Sequence, residues 1–319
     1  MSLPPSLAAP LALPAIAAPL FIISNPDLVI AQCKSGVIGA FPSLNARPAE
    51  KLGEWLTRIK AELAAHDAML PEVRAAPFAV NLIVHRSNDR LAHDLAVCVE
   101  HRVPIVITSL GAREEVNAAI HSYGGIVLHD VITNAFARKA IEKGADGLIA
   151  VAAGAGGHAG RLSPFALVQE IRAWFSGPLA LSGAIATGAG VLGAQAMGAD
   201  FAYIGSAFIA TEEANAAEAY KAAIVAGAAE DIVYTNLFTG VHGNYLRASI
   251  INAGLDPDHL PESDPSKMNF ASDRTKAWRD IWGSGQGIGA VHAVVPAAAL
   301  IARLRREYEA ARARLCQHS

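Results

Sequence analysis

Charge is scarce in this sequence: Asp, Glu, Lys and Arg together make up 17% of the residues, and the formal net charge is −3. Such a chain offers no basic field to a phosphate backbone, which argues against a nucleic-acid partner. Cysteine is scarcer still. Cys33, Cys98 and Cys316 lie far apart and form no C-x-x-C pair, so neither a disulfide framework nor a structural zinc site is expected. The first two read as buried small hydrophobes and the third as a free thiol near the C-terminus. No Lys or Arg precedes the apolar start over 1–18, and Pro4, Pro5, Pro10 and Pro14 would break the helical core that a signal peptide needs. Nowhere does an apolar stretch of membrane length run free of Gly, Pro or charge. The expectation is a soluble, cytoplasmic protein with neither membrane nor nucleic acid as a partner.

What the chain has is apolar residues, 52% of the total, much of it alanine, in 319 residues. Short apolar runs at 18–24, 37–41, 78–84, 105–110, 125–130, 147–151, 179–183 and 201–206 read as buried strands, each bounded by Gly, Pro, Asn or charge. Amphipathic stretches at 48–65, 89–101, 113–122, 134–143 and 164–175 lie between them, with apolar residues at helical spacing. Alternating strand and helix implies parallel pairing through right-handed crossovers. About eight such units close a (β/α)8 TIM barrel, an α/β fold, whereas an open doubly wound sheet more often has five or six. After residue 214 the rhythm changes. A helix over 216–228 is followed by a segment with no βα repeat, punctuated by Pro257, Pro261 and Pro265. The reading is a barrel over 1–229 and 279–319, with 230–278 inserted as a lid that covers the substrate. Pro296 opens a last helix to about residue 315.

Active sites of such barrels sit at the carboxyl ends of the strands, and phosphate most often binds after strands seven and eight. Those ends are glycine-rich here: Ser182-Gly183-Ala184-Ile185, and Gly205-Ser206-Ala207-Phe208. Small residues let amides approach an anion, and a following helix N-terminus adds positive potential. Neither loop contains Lys or Arg, so amides would do the holding; the bland reading is a pair of tight turns. Strand six ends in Gly154-Ala155-Gly156-Gly157-His158-Ala159-Gly160. A dinucleotide-binding reading fails, because the glycine spacing is wrong and no carboxylate stands about 20 positions on. The better reading is a flexible loop that exposes the His158 imidazole over a flat ligand, where it exchanges a proton or stabilises an anion. His85 and His129 follow strands three and five and could point into the mouth. Asn81, within strand three, needs a polar partner, which a cofactor ring edge or the backbone could supply. Asp130 lies near the mouth or caps a turn. No His and carboxylate set at strand ends has metal-ligand spacing, so no metal is expected.

Taken together, Gly156-Gly157-His158, Ser182-Gly183-Ala184-Ile185 and Gly205-Ser206-Ala207-Phe208 resemble the nitronate monooxygenase family, formerly called 2-nitropropane dioxygenases. Ala18-Pro19-Leu20, Val80-Asn81-Leu82 and Trp282…Gly285-Gln286-Gly287 are also similar to that family. The resemblance implies non-covalent FMN in a barrel and oxidation of alkyl nitronates by O2. It implies His158 as the active-site residue, acting as acid/base or anion stabiliser. Contacts to the flavin or its phosphate are expected from Pro19, Leu20, Phe21, Asn81, Asp130, Gly156, Gly157, Ser182, Gly183, Ala184, Gly205 and Ser206. Substrate contacts are expected from His85, His129, Tyr245 and Gln286. Leu20 and Gly154 depart from the methionine and glutamate often found there. The same residues resemble flavin-dependent enoyl-acyl-carrier-protein reductases and NAD(P)H:quinone reductases, so an NAD(P)H-dependent flavin reductase is the alternative. A non-catalytic barrel that binds a flavin or phosphate ligand is the alternative from another class.

Overall fold

The computed structural model describes residues 3–4, 7–8, 10–263 and 280–317. Part of the expected lid, 264–278, lies outside the described residues, as do Pro5, Pro265, the lid's boundary at 278 and 279, and the tail residue His318.

Eight strands form one all-parallel sheet: β1 (Ala15–Ala17), β2 (Gly39–Pro42), β3 (Phe78–Ile83), β4 (Ile105–Ser109), β5 (Ile126–Val131), β6 (Gly147–Val151), β7 (Leu179–Ser182) and β8 (Phe201–Ile204). Their order around the sheet is β1-β8-β7-β6-β5-β4-β3-β2. Ile38 closes the ring, since its amide bonds Ala15 and its carbonyl accepts from Ala17 at the β1 edge. This is the (β/α)8 barrel, and strand alternation decides what goes where. Ile105 and Ile107 of β4, Ile126 and Leu128 of β5, and Phe201 and Tyr203 of β8 point inward with Ile16, Ile38 and Ile149 and fill the barrel. The intervening residues point outward. Val80, Leu82, Val106 and Val127 meet Leu52, Leu56 and Ile59 of the helix α2 (Lys51–Met69). Burial on both faces explains why the strands read as continuous apolar runs rather than alternating ones.

Strand one corrects the sequence reading. The strand is Ala15–Ala17, and the apolar run 18–24 is instead a loop at the barrel mouth. Pro19 brings no N–H to a ladder, and Ile22 takes φ +68°, which no strand residue does. The loop is tied down by side chains: Asn45 Oδ1 accepts from Ile22 N at 2.8 Å, and Asn45 Nδ2 donates to the carbonyls of Leu20 and Ser24. Apolar composition alone does not distinguish a buried strand from a buried loop of this kind.

Helices α3 (Leu91–Glu100), α4 (Glu114–His121), α5 (Asn134–Glu142) and α6 (Pro164–Arg172) follow strands three to six, and α7 (Gly188–Met197) follows β7. Beyond β8 come α8 (Ser206–Ile209) and α9 (Glu218–Ala226). The stretch expected to be irregular then holds an antiparallel hairpin, Ile232–Thr235 with Gly243–Leu246, followed by α10 (Arg247–Asn252). The last helix, α11 (Ala297–Cys316), starts directly after Pro296 and packs along α7. Among the described residues, no helix is long and apolar enough to cross a membrane.

Candidate active site

A cavity of about 760 Å3 opens at the carboxyl ends of the strands. Thirteen sequence-predicted residues line it together: Pro19, Leu20, Phe21, Asn81, Asp130, Gly156, Gly157, His158, Ser182, Gly183, Ala184, Gly205 and Ser206. They come from five strand ends and the first loop, so only the closed barrel brings them to one place. The cavity floor is polar. Asn81 Nδ2 donates to Ser109 Oγ at 2.7 Å and to the Ile107 carbonyl at 3.1 Å. Burial raises the Asp130 carboxyl to about 6, while Ser109 and the Leu110 amide, which bond it, pull the other way. Tyr203, inward on β8, reaches the same floor, and burial beside Asp130 pushes its phenol well above the usual range.

The glycine-rich loop after β6 is strapped from two sides, contrary to the flexible loop expected from its composition. Gly157–His158 pairs antiparallel with Gly243–Asn244, which extends the hairpin to three strands. Asn244 Nδ2 donates to Ala155 O at 2.6 Å, Ala159 N donates to His242 O, and the Tyr234 hydroxyl donates to Ala159 O. From the other side, Gln286 N donates to Gly154 O, and Gly285 N donates to Ser206 Oγ at 2.8 Å. The glycines permit this close approach. A Cβ on Gly243 would lie 2.7 Å from Gly157 O, and one on Gly285 would lie 2.5 Å from Gly154 O.

His158 therefore projects from a fixed backbone. It opens on the cavity, yet it lies deep enough that desolvation lowers its pKa to about 4, so the imidazole is neutral at pH 7. Its Nε2 lies 3.0 Å from Thr239 Oγ1, a buried hydroxyl that also lines the cavity.

The loop after β7 carries two left-handed residues in succession, Gly183 at φ +143° and Ala184 at φ +54°. Ala184 donates its amide to Gly154 O and so ties this loop to the one after β6. The helix that follows contributes less to anion binding than its sequence suggests. Gly188 N at the start of α7 donates to the Glu307 carboxylate at 2.8 Å, and Gly190 N donates to Thr187 Oγ1. That helix end is already capped from within the chain.

Four sequence-predicted residues lie outside the cavity lining. His129 is buried between barrel and helices, because it alternates with the inward-facing Leu128 and Asp130; its Nδ1 lies 2.6 Å from Thr108 Oγ1 and burial lowers its pKa to about 4. His85 turns to Ser87 Oγ at 2.9 Å, and Ser87 rather than His85 reaches the cavity. Tyr245 is buried in the strap against Phe238, with its hydroxyl at Thr239 and its phenol pushed up to about 12 by burial. Gln286 backs Gly154 from the far side. Sequence reasoning missed Ser109, Tyr203, Tyr220 and Thr239, and it named Trp282 in a family motif without giving it a place in the site; all five line the cavity. Alternation with Ile105 and Ile107, and with Phe201, marks Ser109 and Tyr203 as inward. Tyr220 and Trp282 stack at 4.9 Å across 62 positions of sequence, which no local pattern signals.

A family model described as nitronate monooxygenase matches residues 86–307. Among curated relatives, a nitronate monooxygenase of Paraburkholderia phytofirmans is 26% identical, with 92% of each chain covered. Among solved structures, a nitroalkane oxidase from Streptomyces ansochromogenes superposes with TM-score 0.81 at 23% identity, covering 97% of this chain and 99% of that one. FabK from Thermotoga maritima superposes with TM-score 0.77 at 23% identity, covering 97% and 96%.

Proposed function

Since this chain belongs to the nitronate monooxygenase family, a family of flavin-dependent oxidoreductases, we propose that it oxidises alkyl nitronates with O2, using FMN held in the barrel-mouth cavity. One observation carries the reading: His158 and the glycine-rich ends of β7 and β8 line the same cavity as Asn81 and Asp130.

The residues present fit the cofactor. An isoalloxazine edge needs hydrogen-bond donors and acceptors on one side, and Asn81, Ser109 and Asp130 form such a cluster on the floor. A phosphate needs close backbone approach, and Gly183, Ala184, Gly205 and Ser206 leave room for it. Ser206 accepts from Gly285 N through its oxygen and keeps its own hydroxyl proton to donate. Pro19, Leu20 and Phe21 supply an apolar wall. Bound there, FMN would supply the redox centre that takes electrons from the nitronate and returns them to O2.

The chain's own residues do the positioning. His158, neutral at pH 7 and fixed by the strap, orients the substrate by hydrogen bonding and takes or gives a proton; it does not act as a standing cation. The apolar walls of Leu20, Phe21, Ile22 and Ile83 accept an alkyl group and exclude water. The described part of the lid, 230–263, serves as the cover, and its Thr239 stands in the cavity wall. The test is O2 uptake by the purified protein with an alkyl nitronate, compared with NADH or NADPH. Nitronate-dependent uptake that His158→Ala lowers by about 100-fold supports the reading. Uptake driven only by a nicotinamide would replace it with the reductase alternative.

A further inference from the structure

Strand alternation carries the barrel's inward face up to the cavity. Ala79, Ile107, Leu128, Ile149 and Phe201 are buried in the barrel interior, and two positions on stand Asn81, Ser109, Asp130, Val151 and Tyr203, all lining the cavity. Asp130 is the one carboxyl in this layer. Hydrogen bonds run toward it in one direction. Asn81 Nδ2 gives one hydrogen to the Ile107 carbonyl and the other to Ser109 Oγ. Ser109 receives there and gives its own proton to Asp130, which the Leu110 amide also meets. Those donors favour the carboxylate and burial favours the neutral acid; burial prevails and raises the pKa to about 6. No cation is among the groups that act on Asp130. Tyr203 faces it from β8 and keeps its phenol proton. His129 points away to Thr108, and His158, which opens on the same cavity, is neutral at pH 7. Of the guanidiniums lining the cavity, Arg90 binds Asp94 at 2.9 Å and Arg47 lies over the Phe21 ring at 5.4 Å, both beyond the ends of β2 and β3. Among the described residues, negative charge added to this cavity meets no cation on its floor.

We propose that Asp130 holds the proton that balances flavin reduction: its carboxylate is ionised while the flavin is oxidised and takes a proton from solvent when the flavin is reduced. Two electrons and one proton added to the bound flavin leave one negative charge in the cavity. A second proton forms the O–H bond of a neutral Asp130 carboxyl and cancels that charge. Reoxidation of the free enzyme by O2 removes the two electrons and both protons as hydrogen peroxide, and the carboxylate returns. A unit negative charge about 6 Å away raises a carboxylate's proton affinity on the order of a hundredfold at an effective dielectric constant of about 20. A carboxyl that is mostly ionised at pH 7 then becomes mostly protonated. The Ser109 hydroxyl and the Leu110 amide hold the carboxyl in place through both states. The inference rests on the flavin reading of the proposed function, but its test uses no nitronate.

The experiment is the reduced-minus-oxidised infrared difference spectrum of the full-length, FMN-loaded protein, reduced at an electrode, with the side-chain carboxyls of aspartate 13C-labelled. The result expected at pH 7 is a new protonated-carboxyl band on reduction, shifted by the label and missing in Asp130→Asn. At pH 5 the band should be largely gone from the difference, because the carboxyl is already protonated before reduction. If Asp130→Asn loses the flavin, Asp130→Glu keeps a carboxyl, and the labelled aspartate band should still vanish there. No labelled band at pH 7 would overturn the proposal, as when His158 takes the proton instead. A band that survives in Asp130→Asn or Asp130→Glu would overturn it too. A protein that takes up no flavin would overturn this inference and the proposed function together. The expected bands in a protein that does not oxidise nitronates would leave the role of Asp130 standing and overturn only the proposed function.

Discussion

The amide of Gly188 donates to the carboxylate of Glu307 at 2.8 Å, so α11 caps the first turn of α7. The two helices are in backbone contact here: a Cβ on Gly188 would lie 2.1 Å from both Leu304 O and Tyr308 N. Gly188→Ala should therefore push α11 off α7 and cost at least ~3 kcal/mol, the upper end of overpacking effects. Chemical denaturation of the variant checks this; a loss under about 1 kcal/mol would mean that the helices yield easily.

The loop at 18–24 lines the cavity yet depends on Asn45, which makes three hydrogen bonds to it. Asn45→Ala should cost roughly 1–3 kcal/mol of stability, because buried loop polar groups lose their partner. It should also raise the flavin dissociation constant, since Pro19, Leu20 and Phe21 lose their anchor. Fluorescence titration of the flavin-stripped variant measures this, and an unchanged dissociation constant would remove the loop from the flavin site.

Burial of His129 sets a pH dependence of folding. Its folded-state pKa of about 4 lies below the ordinary 6.5, so the unfolded chain binds the extra proton between these values. The stability it confers is fully present above pH 6.5 and is lost as pH falls toward 4. The loss is on the order of 3 kcal/mol for a shift of this size. His158 titrates in the same direction, and Asp130, raised to about 6, in the opposite one. The slope between pH 6.5 and 4 should accordingly flatten in His129→Gln, read by denaturant unfolding at a series of pH values. An identical slope in the two proteins would contradict the burial account.

Much of this was legible in the sequence, for identifiable reasons. Parallel strands buried on both faces announce themselves as apolar runs, so seven of the eight barrel strands fall where periodicity puts them. Ala15–Ala17 escaped because a strand of only three residues beside a longer apolar stretch carries little signal, and the stretch at 18–24 took its place. The glycine-rich ends and His158 were visible because composition and position agreed. His129 was misplaced because a single residue's parity decides whether it faces the mouth or the helices. Thr239, Tyr220 and Trp282 reach the cavity only through long-range packing, which periodicity does not encode.

If the proposed function holds, the cavity takes a flavin which an alkyl nitronate reduces beside His158. The most direct test is the absorbance spectrum of the purified protein under anaerobic conditions, before and after adding an alkyl nitronate. The protein should be yellow, with flavin bands that bleach or shift promptly on addition, and far more slowly in His158→Ala. A yellow protein whose bands ignore the nitronate but bleach with NADH or NADPH would contradict it, as would a protein that takes up no flavin on reconstitution.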